Sequence, residues 1–399
     1  MKLIERPHYI DRLKSLRGTP DIKILTGIRR CGKSELLRHY ARFIKQDNPE
    51  ANIITIDFTS LEYEGLLEYH ALHQYVAERY CEGCENVVMI DEVQMCPKFE
   101  LAVNSLHSTF RYDIYLTGSN AFLMSNDLAT LFTGRHIEIH VFPFSFEEYC
   151  RYFADNMDRR MLLENYVTQG GLPGSYVYRN EVDRTAYLTD VYRTIVVRDL
   201  ITKYNLPESS TLDKVGEFMM DNVGNITSPN GICGGLASER IIITNKTVSN
   251  YLNYLGNAFV LYRASRYDVK GKSYLQSLHK YYLVDTGLRF ALLGRRNMDW
   301  GRMLENIVYI ELLRRGYEVY VGKLYQKEID FVAMRRDEKL YIQVSDNISN
   351  PDTFNREITP LLQVKDAYPK IILARTDTIS YDRDGVLIHD IARWLLGDV

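Results

Sequence analysis

The stretch Gly27-Ile28-Arg29-Arg30-Cys31-Gly32-Lys33-Ser34 fills every position of the pattern G-x-x-x-x-G-K-[ST]. Few local patterns constrain a fold as tightly. Glycines let the backbone turn around phosphate oxygens, so that successive N–H groups point inward at negative charge. Lys33 would reach the β- and γ-phosphates, and Ser34 would offer its hydroxyl to Mg²⁺. A helix starting near Glu35 would aim its positive end at the same phosphates. The pattern requires a strand before it and a helix after it. Ile22-Lys23-Ile24-Leu25 reads as a short buried strand. Leu36, Leu37, Tyr40, Phe43 and Ile44 recur at helical spacing after the loop.

A second element points the same way. Asn86-Val87-Val88-Met89-Ile90-Asp91-Glu92-Val93 is an apolar run that ends in two carboxylates. Such runs suit parallel strands covered on both faces, and ligands bind at the carboxyl ends of those strands. Asp91 is the candidate to hold Mg²⁺, and Glu92 the candidate to orient an attacking water. The competing reading is a pair of solvated acids; the phosphate loop upstream favours the site.

The chain has 399 residues, is 46% hydrophobic and 25% charged, and carries a net charge of −3. This is ordinary for a globular protein with two or three domains. It gives no global push toward nucleic acid, though it leaves room for a local basic patch. No run approaches the length of a membrane helix, and Met1 to Arg6 lacks the apolar core of a signal peptide. A cytoplasmic location without membrane contact is therefore the expectation. Among the six cysteines only Cys81 and Cys84 form a C-x-x-C, without a second pair at zinc spacing. Cys31, inside the loop, is a thiol open to oxidation or alkylation on position alone.

Apolar runs alternate with helical patterns through the first 145 residues, as in a parallel α/β sheet. Strands are expected over 22–27, 52–58, 86–92, 112–118 and 136–142, with helices near 34–46, 66–80 and 97–109. Ser145 with Glu148 forms a capping box for the next helix. Helical patterns follow to about Lys203, broken at Gly170-Gly171-Leu172-Pro173-Gly174. Residues 208–292 read as a small unit of helix, turn, helix and two strands, the pattern of a winged helix. Residues 301–399 return to α/β, with a helix over Leu304 to Arg315 and strands around 319–321, 329–334, 340–344 and 371–374.

These parts in this order resemble a bacterial and archaeal family. Its members carry an AAA+ type P-loop ATPase domain close to the STAND class, a helical lid, a winged-helix segment and a restriction-endonuclease-like α/β domain. The resemblance covers nearly the whole chain. It is carried by Leu25 to Ser34, Ile90 to Gln94, Leu116-Thr117-Gly118-Ser119-Asn120, Thr133-Gly134-Arg135-His136, Phe142-Pro143-Phe144-Ser145-Phe146 and Tyr282-Leu283-Val284-Asp285-Thr286-Gly287-Leu288. It implies domains over 1–145, 146–207, 208–292 and 293–399. It implies ATP and Mg²⁺ as cofactors, a DNA or protein partner for the C-terminal half, and a nucleotide-dependent oligomer.

The resemblance also implies that the 112–118 strand lies between the phosphate-loop strand and the Asp91 strand. Ser119 or Asn120 then becomes the sensor of the γ-phosphate, unless Gly118-Ser119-Asn120 is simply a β-turn. Arg135 is the candidate to stabilise transition-state charge, in cis or from a neighbouring subunit; a surface or interdomain salt bridge is the other reading. One of Arg29 and Arg30 would line the nucleotide. In the C-terminal domain, Glu305 and Asp330 match the helical and strand acids of metal-dependent nucleases. The Glu-x-Lys position reads Gln343-Val344-Ser345, which removes a charged ligand and the lysine that supports attacking water. The expectation is an ATP-driven switch with a nuclease-like domain that has lost cleavage. A DNA-binding or scaffold protein and an ATP-regulated nuclease are the alternatives. Intact Glu92 speaks against the first, and Gln343 with Ser345 against the second.

Overall fold

A computed structural model describes residues 4–118, 132, 134–153, 158–207, 210–376 and 378–398. Ser119, Asn120 and Thr133, singled out above, lie outside the described residues. The chain forms two compact units, residues 3–142 and 143–399.

In the first unit helix α1 (Pro7–Leu16) precedes β1 (Ile22–Thr26), α2 (Lys33–Asp47), β2 (Asn52–Asp57), α3 (Tyr69–Ala77), β3 (Asn86–Asp91), α4 (Phe99–Ser108), β4 (Asp113–Thr117) and β5 (His136–His140). The five strands are parallel, in the order β2-β3-β4-β1-β5. The 112–118 strand thus lies between the phosphate-loop strand and the Asp91 strand, as the resemblance implied. Strands β1, β3 and β4 are buried along their whole length, which explains their unbroken apolar runs. Ile22, Ile24, Val88, Ile90, Ile114 and Leu116 pack as one core beside Ile54 and Ile56 of β2.

One charge breaks that pattern. Lys23 is fully buried in β1, and its ammonium donates to Asp113 at 2.5 Å and to the Thr19 carbonyl at 2.6 Å. The pair joins β1 to β4, the two strands whose ends carry the loop and Thr117.

The second unit begins with the helix Phe146–Tyr152. Ser145 and Glu148 cap it reciprocally, as the sequence predicts. The helix Arg159–Gln169 ends at Gly170, whose backbone has φ +71°. Helices Ser210–Asp221, Pro229–Ser238 and Asn245–Asn257 precede the hairpin of β6 (Leu261–Asp268) and β7 (Ser273–Leu283). Next come the helix Trp300–Arg314 and strands β8 (Glu318–Leu324), β9 (Lys327–Arg335), β10 (Glu338–Ser345), β11 (Lys370–Ala374), β12 (Tyr381–Arg383) and β13 (Val386–Asp390).

The hairpin is not a free two-stranded wing. Strand β6 also pairs in parallel with β8 through Arg266–Val321, Tyr267–Gly322 and Asp268–Lys323. It therefore extends one mixed eight-stranded sheet, ordered β12-β13-β11-β10-β9-β8-β6-β7. Local pattern predicts the antiparallel partner across a short turn. It carries no signal for a parallel partner more than fifty residues later.

The segment Asp285-Thr286-Gly287 acquires a structural reason. Asp285 is buried and accepts hydrogen bonds from Gly171 N at 2.5 Å and Gly287 N at 2.8 Å. A Cβ on Gly170 would come within 1.9 Å of the same carboxylate. One acid thus caps the helix Thr286–Leu293 and anchors the Gly170-Gly171 turn. No helix among the described residues is long and apolar enough to cross a membrane.

Candidate functional site

The phosphate loop leaves the carboxyl end of β1 and enters α2 through Gly32, which has φ +101°. Gly27 has φ +137°, and a Cβ there would meet the Val141 carbonyl oxygen at 2.1 Å. Both glycines are required by backbone conformation, and Gly27 by space as well. The Lys33 ammonium reaches back across the loop to the carbonyls of Gly27 at 2.8 Å and Ile28 at 3.2 Å. Behind the loop, Arg6 donates to the Cys31 carbonyl at 3.2 Å and the Phe142 carbonyl at 2.9 Å, with its guanidinium over the Tyr9 ring. Arg6 was not singled out in the sequence; an isolated arginine before a helix carries no pattern.

The loop's other positions divide by exposure. Ile28 and Cys31 are buried, Arg29 is half-buried, and Arg30 and Glu35 are exposed. Arg30 adopts φ +69°, and Glu35 pairs with Arg38 at 3.3 Å. Burial of Cys31 corrects the expectation of a reagent-accessible thiol: the side chain points under the loop, beside Gly27.

Two strand ends complete the site. The Ser34 hydroxyl lies near enough to the Asp91 carboxylate to favour its ionised form, so the loop serine and the strand-end acid are neighbours. Burial pushes the Asp91 carboxyl above its ordinary value; the Thr117 and Ser34 hydroxyls oppose this, and the charges of Glu92 and Asp57 add to it. A buried acid beside two further carboxylates fits a site for a divalent cation. Ser34 and Asp91 are the residues that could hold Mg²⁺, an ion that takes few protein ligands and completes its shell from water and phosphate. Consistent with so sparse a donor set, no group of three His, Cys, Asp or Glu among the described residues is placed to hold a metal alone.

Glu92 adopts φ +52°, an uncommon conformation for a non-glycine residue that turns the chain sharply after β3. Its backbone N–H donates to Thr117 Oγ1 at 3.2 Å, and Gln94 Nε2 donates to its carboxylate. Thr117 donates in turn to Asp91. Thr117 and Gln94 are candidate site residues that local sequence pattern does not mark. The available signal was a polar β-branched residue closing an apolar strand. Asp57 stands level with Asp91 on β2. Burial raises its carboxyl, but Thr59 and Arg38 outweigh that and hold it below the ordinary value.

Arg135 is not brought to this cluster. Its carbonyl accepts from Ile22 N, so it sits at the amino end of β1, about 13 Å of strand from the loop, and its side chain is exposed. That corrects the expectation of a role in cis. The cause is topological: β5 runs parallel to β1, so the residue before it falls at the wrong end.

A second cluster lies in the other unit. Glu305, Asp330 and Gln343 line a cavity of about 410 Å³, joined by Glu328 and Glu357. The Glu305 carboxylate accepts from Lys280 at 2.9 Å and Tyr282 at 2.6 Å, and Lys280 also pairs with Glu328 at 2.7 Å. Burial lowers the pKa of Lys280, but Glu305, Asp330 and Glu328 more than offset this and hold it charged. Burial and the Glu305 charge push Asp330 well above the ordinary carboxylate range. Gln343 accepts from Asp330 N at 3.1 Å and donates to Glu357 at 2.9 Å, so both ends of its amide are engaged. Ser345 turns away and donates to the Asn347 carbonyl. The serine is therefore not part of this cluster. Lys280 and Glu357, unmarked in the sequence, supply a lysine and an acid from β7 and from the helix Pro351–Gln363.

Comparison with known proteins agrees with the first unit. Residues 19–150 match the family described as AAA domain, and residues 160–299 match a domain of unknown function (DUF8612). An uncharacterized protein of Haemophilus influenzae is 38% identical over 99% of both chains. The uncharacterized protein MJ1544 of Methanocaldococcus jannaschii is 24% identical over 86% of this chain and 79% of its own. Among solved structures, the Walker-type ATPase PABY2304 of Pyrococcus abyssi is similar at 17% identity and a TM-score of 0.48, covering 73% of this chain and 96% of that one. The chain belongs to one family with the Haemophilus influenzae protein, and its N-terminal unit is an AAA-type P-loop domain, a nucleotide-binding fold.

Proposed function

We propose that this protein binds ATP with Mg²⁺ and hydrolyses it slowly, using nucleotide state as a switch. The observation that carries the reading is the hydrogen-bonded chain Asp91–Thr117–Glu92 at the strand ends beside the phosphate loop. Lys33 and the loop N–H groups bind the phosphates and neutralise their charge. Bound Mg²⁺ would supply further charge neutralisation on the phosphate oxygens. Asp91 and Ser34 hold the cation's position. Glu92, oriented by Gln94, positions a water and accepts its proton. Ser119 or Asn120 senses the γ-phosphate. Arg135, exposed and away from its own loop, fits a contribution to a neighbouring subunit in a nucleotide-dependent oligomer.

In this reading the γ-phosphate biases two arrangements of the downstream segments, a lid over 146–207 and a unit in which the hairpin of the 208–292 segment shares one sheet with the nuclease-like domain over 293–399. The last has lost cleavage and serves to dock DNA or protein. The pairing of Lys280 with Glu305 and Glu328 supports the loss, since an ammonium stands among the acids a metal would need. The test is ATP turnover by the purified chain, with Mg²⁺ and with EDTA. Turnover that needs Mg²⁺ and vanishes in Lys33→Ala supports the reading; Lys33→Ala turning over ATP like the wild type overturns it.

A further inference from the structure

The edge of the eight-stranded sheet holds a pocket unconnected with either carboxylate cluster. It has a volume of about 380 Å³ and is lined by Arg263, Ser265, Tyr274, Leu275, His279 and Tyr320. That size lies in the range of small-molecule sites. A register shift between Ala264 and Arg266 opens the β6–β7 pairing here. Tyr274 is 60% exposed, and its ring lies 5.0 Å from that of Tyr320.

Two polar atoms at this edge lack partners. The His279 Nδ1 and the Arg266 Nε are buried without a hydrogen bond. Orphaned buried groups are rare, and each calls for a partner. Arg263 is exposed and close enough to His279 that its charge lowers the imidazole pKa, together with burial. The pocket therefore offers two aromatic rings, the unpartnered His279 Nδ1 and the Arg263 guanidinium. Its basic character continues along the face. Lys270 sits over Tyr325 at 4.7 Å at the adjoining turn, while Lys339, over the Tyr267 ring at 5.1 Å, is paired with Asp366 at 3.8 Å.

We propose that this pocket binds one nucleotide of a single-stranded nucleic acid. The base lies against Tyr274 and Tyr320, and the adjoining phosphates pair with the exposed Arg263 and Lys270. Rings interleaved with cations on a sheet face match what a single strand offers, a π-surface and a charge at every nucleotide. A duplex keeps its bases stacked, so it presents only the charge. Of the acids nearby, Asp366 is paired with Lys339, while Glu318 accepts from the Tyr320 hydroxyl and Asp268 from the N–H groups of Lys270 and Gly271, each keeping its charge. The proposal does not rest on ATP hydrolysis.

The experiment measures fluorescence anisotropy of labelled twenty-nucleotide dT, twenty-nucleotide U and a twenty-pair duplex against the full chain without nucleotide. Tyr274→Ala, Tyr274→Phe and Arg263→Gln are compared with the wild type, with thermal midpoints recorded as a check on folding. Expected are a single strand bound at least tenfold tighter than the duplex, roughly tenfold weakening in Tyr274→Ala and in Arg263→Gln, and recovery in Tyr274→Phe. Arg263→Gln should also flatten the salt dependence. The dT and U arms compare a thymine deoxyribose strand with a uracil ribose strand. No binding at low salt, equal affinity for the duplex, or binding indifferent to both substitutions in folded protein would overturn the proposal.

Discussion

Thr117 at the end of β4 donates its hydroxyl to Asp91 at the end of β3 and accepts the backbone N–H of Glu92 with the same oxygen. One side chain thus ties together the acid that would hold Mg²⁺ and the acid that would orient water. Thr117→Val keeps the shape and removes both bonds. It should leave ATP binding within a few-fold and lower turnover by roughly 10-fold or more, since both acids lose their positioning. Single-turnover hydrolysis beside ATP titration separates the two effects, and unchanged turnover would show that Thr117 is only a core residue.

Lys33→Ala should abolish ATP binding. Its ammonium spans the loop between its two ends, and alanine leaves neither charge nor reach. Calorimetric titration with ATP and Mg²⁺ reads this directly.

Glu92→Gln should bind ATP as the wild type does and hydrolyse it about 10²-fold or more slowly, because the amide keeps the shape without the proton-accepting charge. If turnover persists, Asp57, level with Asp91 on the next strand, becomes the carboxylate to test.

The Glu305–Asp330 cluster should not cut DNA. Linear, supercoiled and single-stranded DNA should survive incubation with the protein in Mg²⁺ and in Mn²⁺; cleavage that disappears in Asp330→Ala would sink this reading. Replacing Lys280 by Met should destabilise the unit by about 3–5 kcal/mol, because it leaves Glu305 buried without its cation. Denaturant midpoints measure the loss.

Asp285 predicts a pH dependence. Burial raises its carboxyl to about 6, against the backbone N–H groups of Gly171 and Gly287 that favour the ionised form. The unfolded chain ionises near its ordinary value of 3.8, so between these values the folded state binds more protons. This residue's contribution is therefore fully present below about pH 4 and is lost as pH rises through 6. The size is on the order of 1–3 kcal/mol. Urea midpoints of wild type and Asp285→Asn from pH 4 to 7.5 should show a difference that changes across this window and is flat above it.

Parts of the site were legible because they are local. Gly27 to Ser34 is one contiguous turn whose chemistry is set by backbone freedom and a single lysine. Asp91 and Glu92 follow directly from a strand that is buried along its length. The capping of Phe146–Tyr152 by Ser145 and Glu148 needs only four residues. Thr117, Arg6, Lys280 and Glu357 were not legible in this way. Each acts on a partner from another element, and a threonine at a strand end or a lysine in a hairpin looks the same whether or not such a partner exists.

The sequence alone determined the strands and helices around the phosphate loop and the chemistry of that loop, since periodicity, turn residues and the loop's glycines act through near neighbours; the helices Pro7–Leu16 and Pro351–Gln363 and strands β12 and β13 came only with the structure. Only the tertiary structure decided which ends of the strands meet. It put Arg135 at the far end of β1 from the loop, drew β6 into the C-terminal sheet beside β8, and seated Lys280 beside Glu305 where Gln343-Val344-Ser345 offers no lysine. The physical reason is common to all three. Strand order and direction bring together residues far apart along the chain, and the fold as a whole selects those contacts.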